Sequence, residues 1–176
     1  VNPEQEKQLG LVSGSARHLL SLINDLLDLS RIEAGKMEVE REAFDFNGVV
    51  TEVVDSLSPA ARQKGLRLEA ELPEHGLGMS GDRRRSYQVL LNLANNALKF
   101  TRQGEVRIRA WSEDGTLRVC VADTGIGIKP EQMGRLFEAF RQLDDSARRL
   151  YEGTGLGLYL CRRLLALIGG EIHAES

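Results

Sequence analysis

Residues 88–101 (QVLLNLANNALKFT) limit the options of this chain more than any other stretch. Val89, Leu90, Leu93, Ala94, Ala97 and Leu98 recur at helical spacing and predict a face turned to a core. Asn92, Asn96 and Lys99 stand four and three apart, so they share a second face. Asparagine is a poor residue for a helix interior, because its amide competes with the backbone for hydrogen bonds. Two amides one turn apart, beside a lysine, suggest oxygen ligands for a hard cation and a positive charge for a phosphate. A helix face with incidental amides is the plain alternative.

Two later segments weigh against that alternative. Residues 119–128 (VCVADTGIGI) are a β-rich run that ends in Asp123 and continues through Gly125 and Gly127. Glycine lets the backbone turn sharply and approach a ligand closely, and Asp123 offers an acceptor that could receive an exocyclic amine. Residues 152–158 (EGTGLGL) lead into a helical pattern over 159–168. A glycine-rich loop entering a helix presents backbone N–H groups to phosphate. Neither loop has the lysine-serine/threonine ending of a P-loop. Neither sits in a strand–loop–helix unit of the dinucleotide-binding kind.

Taken together and in this order, the segments resemble the ATP-binding region of sensor histidine kinases. That region belongs to an ATPase superfamily shared with DNA gyrase, the mismatch-repair ATPases and a heat-shock chaperone. Residues 92–101 are similar to the asparagine box of these kinases, and 123–127 to the first glycine box. Residues 136–140 (LFEAF) resemble the phenylalanine box, and 153–158 the second glycine box. Upstream, 19–36 (LLSLINDLLDLSRIEAGK) is similar to the end of the dimerisation helices.

The resemblance implies roles. Asn96 would coordinate Mg²⁺, with Asn92 beside it, and Lys99 would contact a phosphate of ATP. Asp123 would receive the adenine amine. Gly125, Gly127, Gly153, Gly155 and Gly157 would give close backbone approach. Phe100, Ile126, Phe140, Thr154 and Leu156 lie within the same boxes and would line the nucleotide site. The polar stretch 141–152 resembles the ATP lid, from which Arg149 or Arg148 would reach the terminal phosphate. Arg149 matches a position where arginine is frequent, and Arg148 one where threonine is; which of the two makes the contact stays open. Asn92, Asn96 and Arg149 would be the catalytic group.

The histidines do not match the phosphoacceptor of the family, which is followed by an acidic residue and, a turn later, by proline. His18 is followed by LLSL and resembles a histidine of the second dimerisation helix. His75 lies in a turn and His173 in an expected terminal strand. The chain is therefore expected to lack the phosphoacceptor helix, and its last strand as well. Residues 1–36 would be the second helix of a dimerisation domain, and 37–176 the catalytic ATP-binding domain. Such a parent protein works as a homodimer, phosphorylates a histidine and passes the phosphoryl group to a response-regulator receiver domain, in the cytoplasm. Two alternatives are an ATP-binding scaffold without activity and an ATP-hydrolysing clamp. Hydrolytic relatives place a glutamate where Asn92 stands, and an amide cannot accept a proton, which favours the kinase.

Composition agrees with this. A net charge of -3 argues against non-specific nucleic-acid binding. Cys120 and Cys161 read as small buried hydrophobes. No apolar run approaches the ~20 residues of a membrane span, so membrane attachment would come only from upstream segments. The pattern predicts a long helix over 3–34, ended by Gly35, with an apolar stripe of Val12, Ala16, Leu19, Leu22, Ile23, Leu26, Leu27 and Leu29. Asn24, Asp25 and Asp28 are expected to face away from it. A strand over 37–43 follows, then a helix over 47–63 bent near Pro59, and a strand over 66–71. A short strand near Met79 precedes the asparagine helix. A hairpin turns at Asp114-Gly115, and helices cover 130–137 and the region from Gly157. The expected fold is α+β: a two-layer α/β sandwich, a mixed sheet with helices on one face, preceded by a long helix from a dimerisation bundle.

Overall fold

Asn2 and Gly35 bracket the first helix, α1 (Pro3–Glu33). The Asn2 side chain accepts the Glu4 N–H at 3.2 Å, and the Gln5 side chain accepts the Asn2 N–H at 3.1 Å. These two bonds satisfy donors that a helix start leaves open. At the other end Gly35 takes φ +63°. Its N–H donates to Ile32 O at 3.0 Å and the Lys36 N–H donates to Arg31 O at 2.8 Å, which closes the last turn in the manner that favours glycine. The computed structural model describes residues 2–140 and 155–176, without the side chains of Pro3, Leu11, Arg17 and His18. Arg148, Arg149, Gly153, Thr154 and the ring of His18 thus lie outside the described residues.

The chain divides into two compact units, Val1–Met37 and Glu38–Ser176. In the first, much of the apolar stripe faces solvent. Val12, Leu19, Leu20, Ile23, Leu26 and Leu27 are exposed. Leu22, Asp25, Asp28, Leu29 and Ile32 are half-buried, so two carboxylates expected to face away share an arc with three apolar residues. Burial and repulsion from Asp28 raise the Asp25 carboxyl above its ordinary value, burial being the larger cause.

The second unit starts later than its sequence suggests. Residues 38–41 have no strand geometry, and β1 is Glu42–Asp45, paired antiparallel with β3 (Gly78–Gly81) as a separate two-stranded sheet. Asp45 then caps α2 (Phe46–Gln63): its Oδ1 accepts the Asn47 N–H at 3.0 Å and the Leu77 N–H at 2.8 Å. Pro59 does not interrupt α2. The buried series Phe46, Val49, Val50, Val53, Leu57, Ala61 runs through it, so packing outweighs the one backbone donor that proline removes.

The second sheet has the order β2-β4-β5, with β2 (Arg67–Glu71) parallel to β4 (Glu105–Glu113) and β4 antiparallel to β5 (Thr116–Asp123). Asp114 and Gly115 join β4 to β5 with φ +51° and +75°, the backbone that a two-residue hairpin asks for. The register sets Leu68 and Ala70 beside Val106 and Ile108, and Val121 and Val119 beside Ile108 and Ala110. That face meets the helices: Val106, Ile108 and Ala110 are buried with the inner residues of α2 and α3 (Arg83–Phe100). The opposite face is charged, with Arg67 on Glu105 and Arg107 on Glu71 and Glu105. Cys120 lies there and is exposed, whereas Cys161 is buried; only the second cysteine fills the structural place expected of both.

Helix α4 stops at Met133 (Pro130–Met133). Residues 134–138 continue as tight turns, the N–H groups of Arg135, Leu136 and Glu138 each donating three residues back. Helix α5 (Gly157–Ile168) buries Leu160, Cys161 and Leu164, and Cys161 Sγ lies 3.8 Å from Val89 O on α3. Gly169 ends α5 at φ +87°. Residues 170–176, His173 included, form no strand, because β5 gains no further hydrogen-bonded neighbour among the described residues.

Candidate functional site

Helix α3 organises the site. Asp82 starts it, Oδ1 accepting the Arg85 N–H at 2.9 Å and Oδ2 accepting the Glu40 N–H at 3.2 Å. Val89, Leu90, Ala94, Ala97 and Leu98 are buried against the core. Asn92, Asn96 and Lys99 are half-buried on another face, as the spacing predicts. Asn96 Nδ2 stands 3.5 Å from Asn92 Oδ1, the outer limit of a hydrogen bond, so the amides barely restrain one another. Among the described residues no cluster of three His, Cys, Asp or Glu side chains is placed to hold a metal. A cation at this site would therefore depend on the two amide oxygens and on its own ligand.

Both glycine loops press on this helix. A Cβ at Gly157 would come within 2.8 Å of Asn92 Oδ1 and 2.9 Å of its Nδ2. The start of α5 thus rests directly on the first amide, and no side chain caps it. A helix start of this kind offers N–H groups and partial positive charge to an anion. A Cβ at Gly125 would come within 2.6 Å of Asp123 Oδ1 and 2.7 Å of Phe100 O. Asp123 Oδ1 accepts the Gly125 N–H at 2.8 Å, which holds the turn over the end of α3. Among the described residues Asp123 Oδ2 has no hydrogen-bond partner and the residue is exposed. Gly127 takes φ +67°, and the following Ile128 N–H donates to Ser176 Oγ at 2.7 Å. Ile126 is exposed.

Other expected residues fall around the same helix. The Lys99 ammonium lies 5.1 Å above the ring centroid of Phe100. Phe140 is 67% exposed with φ +60°, and its N–H donates to Gly155 O at 3.1 Å. That bond joins the two ends of the polar stretch 141–154. Leu156 is buried immediately before α5. Three supporting groups escape a sequence reading. Lys64 donates to the carbonyl of Leu98 at 2.7 Å. Thr101 is buried and its hydroxyl donates to Ala97 O at 2.8 Å. Thr124 Oγ1 accepts the Glu105 N–H at 3.0 Å and donates to Gln103 O at 3.2 Å. The Thr124 contacts join residues distant in sequence, so no local signal could have found them.

Comparison with known proteins gives one family and a consistent set of relatives. Residues 81–176 match the family described as histidine kinase-, DNA gyrase B-, and HSP90-like ATPase. The sensor protein GacS of Pseudomonas syringae pv. syringae is 42% identical over 182 residues, spanning 100% of this chain and 20% of that protein. Hybrid signal transduction histidine kinase L of Dictyostelium discoideum is 41% identical over 186 residues, or 100% of this chain and 11% of that one. The chain thus spans a fifth or less of these two relatives. Among solved structures, full-length ShkA in complex with AMPPNP superimposes with a TM-score of 0.81 at 36% identity, over 96% of this chain and 35% of that one. The Acinetobacter baumannii histidine kinase AdeS gives 0.80 at 27% identity, over 100% and 79%.

Proposed function

The chain belongs to the histidine kinase-, DNA gyrase B-, and HSP90-like ATPase family, and we propose that it is the ATP-binding catalytic region of a sensor histidine kinase. Residues 1–36 would be one helix of the kinase's dimerisation domain and 37–176 the catalytic domain. One observation carries the reading. Two glycine turns remote in sequence both pack on α3, one against Asn92 and the other against Phe100 O. That arrangement aligns amide oxygens, a helix start and the Asp123 carboxylate along one helix. It suits an elongated ligand with an amine at one end and phosphates at the other. ShkA, related over 96% of this chain, was solved with AMPPNP, which supports a nucleotide there.

Each residue then has a task. Asp123 Oδ2 accepts the adenine amine while Oδ1 stays on the Gly125 N–H. The N–H groups at the start of α5 and the Lys99 ammonium receive phosphate oxygens. Asn96 and Asn92 supply uncharged oxygen donors, which fit a hard divalent cation; Mg²⁺ bound there would offset the charge of the phosphates. Arg149, or Arg148, would complete the phosphate contacts. The γ-phosphoryl group would pass to a histidine nitrogen and from there to a receiver-domain aspartate of a response regulator, in a homodimeric, cytoplasmic region. Among the described residues no helix is long and apolar enough to cross a membrane.

Calorimetry on the chain tests the site. Mg·ATP should bind and Mg·GTP should bind at least tenfold more weakly. Asp123→Asn should cost about 1.5–3 kcal/mol for ATP, as it replaces an acceptor oxygen by a donor. Equal binding of ATP and GTP by the wild type would remove the adenine assignment. With γ-labelled ATP, this chain should stay unlabelled, and a phosphoacceptor helix supplied with it should take the label. Acid-labile phosphate on His18 would refute the placing of the phosphoacceptor on a separate helix.

A further inference from the structure

A side chain from outside α3 reaches its last turn. Lys64, the residue that caps α2, places Nζ 2.7 Å from Leu98 O and 3.4 Å from Lys99 O. A helix leaves its final carbonyls without internal partners. Ala97 O receives the Thr101 N–H and hydroxyl, and Lys64 brings a donor to the next two carbonyls. A cation there also complements the negative end of the helix. The following oxygen, Phe100 O, is the one against which Gly125 is seated. The same α2–β2 corner makes a second tie, from the Arg67 N–H to Gly104 O at 3.1 Å.

We infer that Lys64 is a positioning residue for nucleotide binding. It fixes the final turn of α3, and through that turn the placing of Lys99 and of the Asp123–Gly125 bend. It touches no ligand itself. The inference rests on the reading of this site as a nucleotide site.

The test is a calorimetric cycle on the chain with Mg·ATP, using wild type, Lys64→Met, Lys64→Arg, Lys99→Met and the Lys64→Met/Lys99→Met double variant. Lys64→Met should raise Kd about tenfold. Lys64→Arg should stay within about threefold, because guanidinium brings both charge and donors. The double variant should lose less than the product of the two single losses, since Lys64 acts in part through Lys99. A lysine with only a structural role would lower the urea midpoint and give multiplicative losses. If Lys64→Met does not fold, Lys64→Gln takes its place, keeping a donor without the charge. Wild-type affinity in the folded Met or Gln variant, or multiplicative losses, would overturn the inference. A wild-type chain that fails to bind Mg·ATP would overturn the nucleotide reading, and this inference with it.

Discussion

Gly157→Ala should separate binding from stability. The new methyl would stand 2.8 Å from Asn92 Oδ1, 2.9 Å from Nδ2 and 3.2 Å from Cγ. Ordinary contacts lie near 3.5–4.0 Å, so something must retreat by roughly 0.5–1 Å. The obstacle is the end of a side chain, and a side chain can rotate. Forcing Asn92 off its preferred rotamer costs about 0.5–1.5 kcal/mol. Alanine at the first residue of α5 returns part of that, since glycine in a helix costs up to about 1 kcal/mol. The net change in unfolding free energy should stay within about 1 kcal/mol. The ligand set suffers more, because the amide that moves is one of the two proposed to face the cation. Losing a charge-assisted contact costs about 1.5–3 kcal/mol, which is tenfold or more in Kd. Urea unfolding should therefore be near wild type while Mg·ATP binding falls at least tenfold. The loss should shrink when ATP is titrated in EDTA. Wild-type affinity for Mg·ATP would refute the part given to Asn92. An equal loss with and without Mg²⁺ would move that part from the cation to the nucleotide.

Thr124→Val removes the hydroxyl that ties Glu105 and Gln103 to the end of β5; it should lower the urea-derived stability by about 0.5–1.5 kcal/mol. Gly104→Ala should cost more, about 1–3 kcal/mol, because Gly104 has φ +107° and a Cβ there collides with the Thr124 hydroxyl; a smaller loss than Thr124→Val would contradict that contact. Asp25 has a raised folded-state pKa, so its charged form is the one that folding disfavours. Stability should rise as pH falls from neutral through the raised value, and level off below the ordinary one. Asp25→Asn should remove that slope and be at least as stable as wild type at pH 7, followed by helix circular dichroism during thermal unfolding; a variant less stable at pH 7 would reverse the sign.

Local chemistry was legible in the sequence, and pairing beyond the β4–β5 hairpin was not. The Asp114-Gly115 turn could be read because both residues tolerate positive φ, and α3 because its two faces repeat at helical spacing. The cap at Gly35 was visible for the same local reason. Strand limits were not, because a strand exists only where a partner lies beside it. Residues 37–41 read as β, yet pairing with β3 begins at Glu42. The terminal strand expected around His173 does not form among the described residues. Pro59 argued for a break or bend in α2, and the helix runs through it without a break, with buried residues on either side. On α1 the apolar spacing was legible, but the half-burial of Asp25 and Asp28 was not. On α3 the shared face of Asn92, Asn96 and Lys99 was legible from spacing alone, and Gly125 and Gly157 pack against that helix. The supports at Lys64 and Thr124 were not legible, since polar bonds between residues distant in sequence leave no periodic trace.

The two contacts on α3 also constrain the length of what can bind. Gly157 meets the helix at Asn92, and Gly125 meets it at Phe100 O. Eight residues of helix separate them, or about 12 Å along the axis. A ligand that uses both must reach from the Asp123 end to the Asn92 end. A nucleoside without phosphates engages the first and leaves the second empty, whereas inorganic phosphate does the reverse. Because both contacts sit on one rigid helix, neither fragment gains from the other unless they are joined. The affinity of the joined nucleotide should then exceed the product expected from loosely tethered pieces, since the helix has already fixed their spacing. The opposite face of α3 is committed to the core through Leu90, Ala94 and Leu98. That division is why changes at Asn92 or Asn96 should act on binding, and changes at Leu90 or Leu98 on folding.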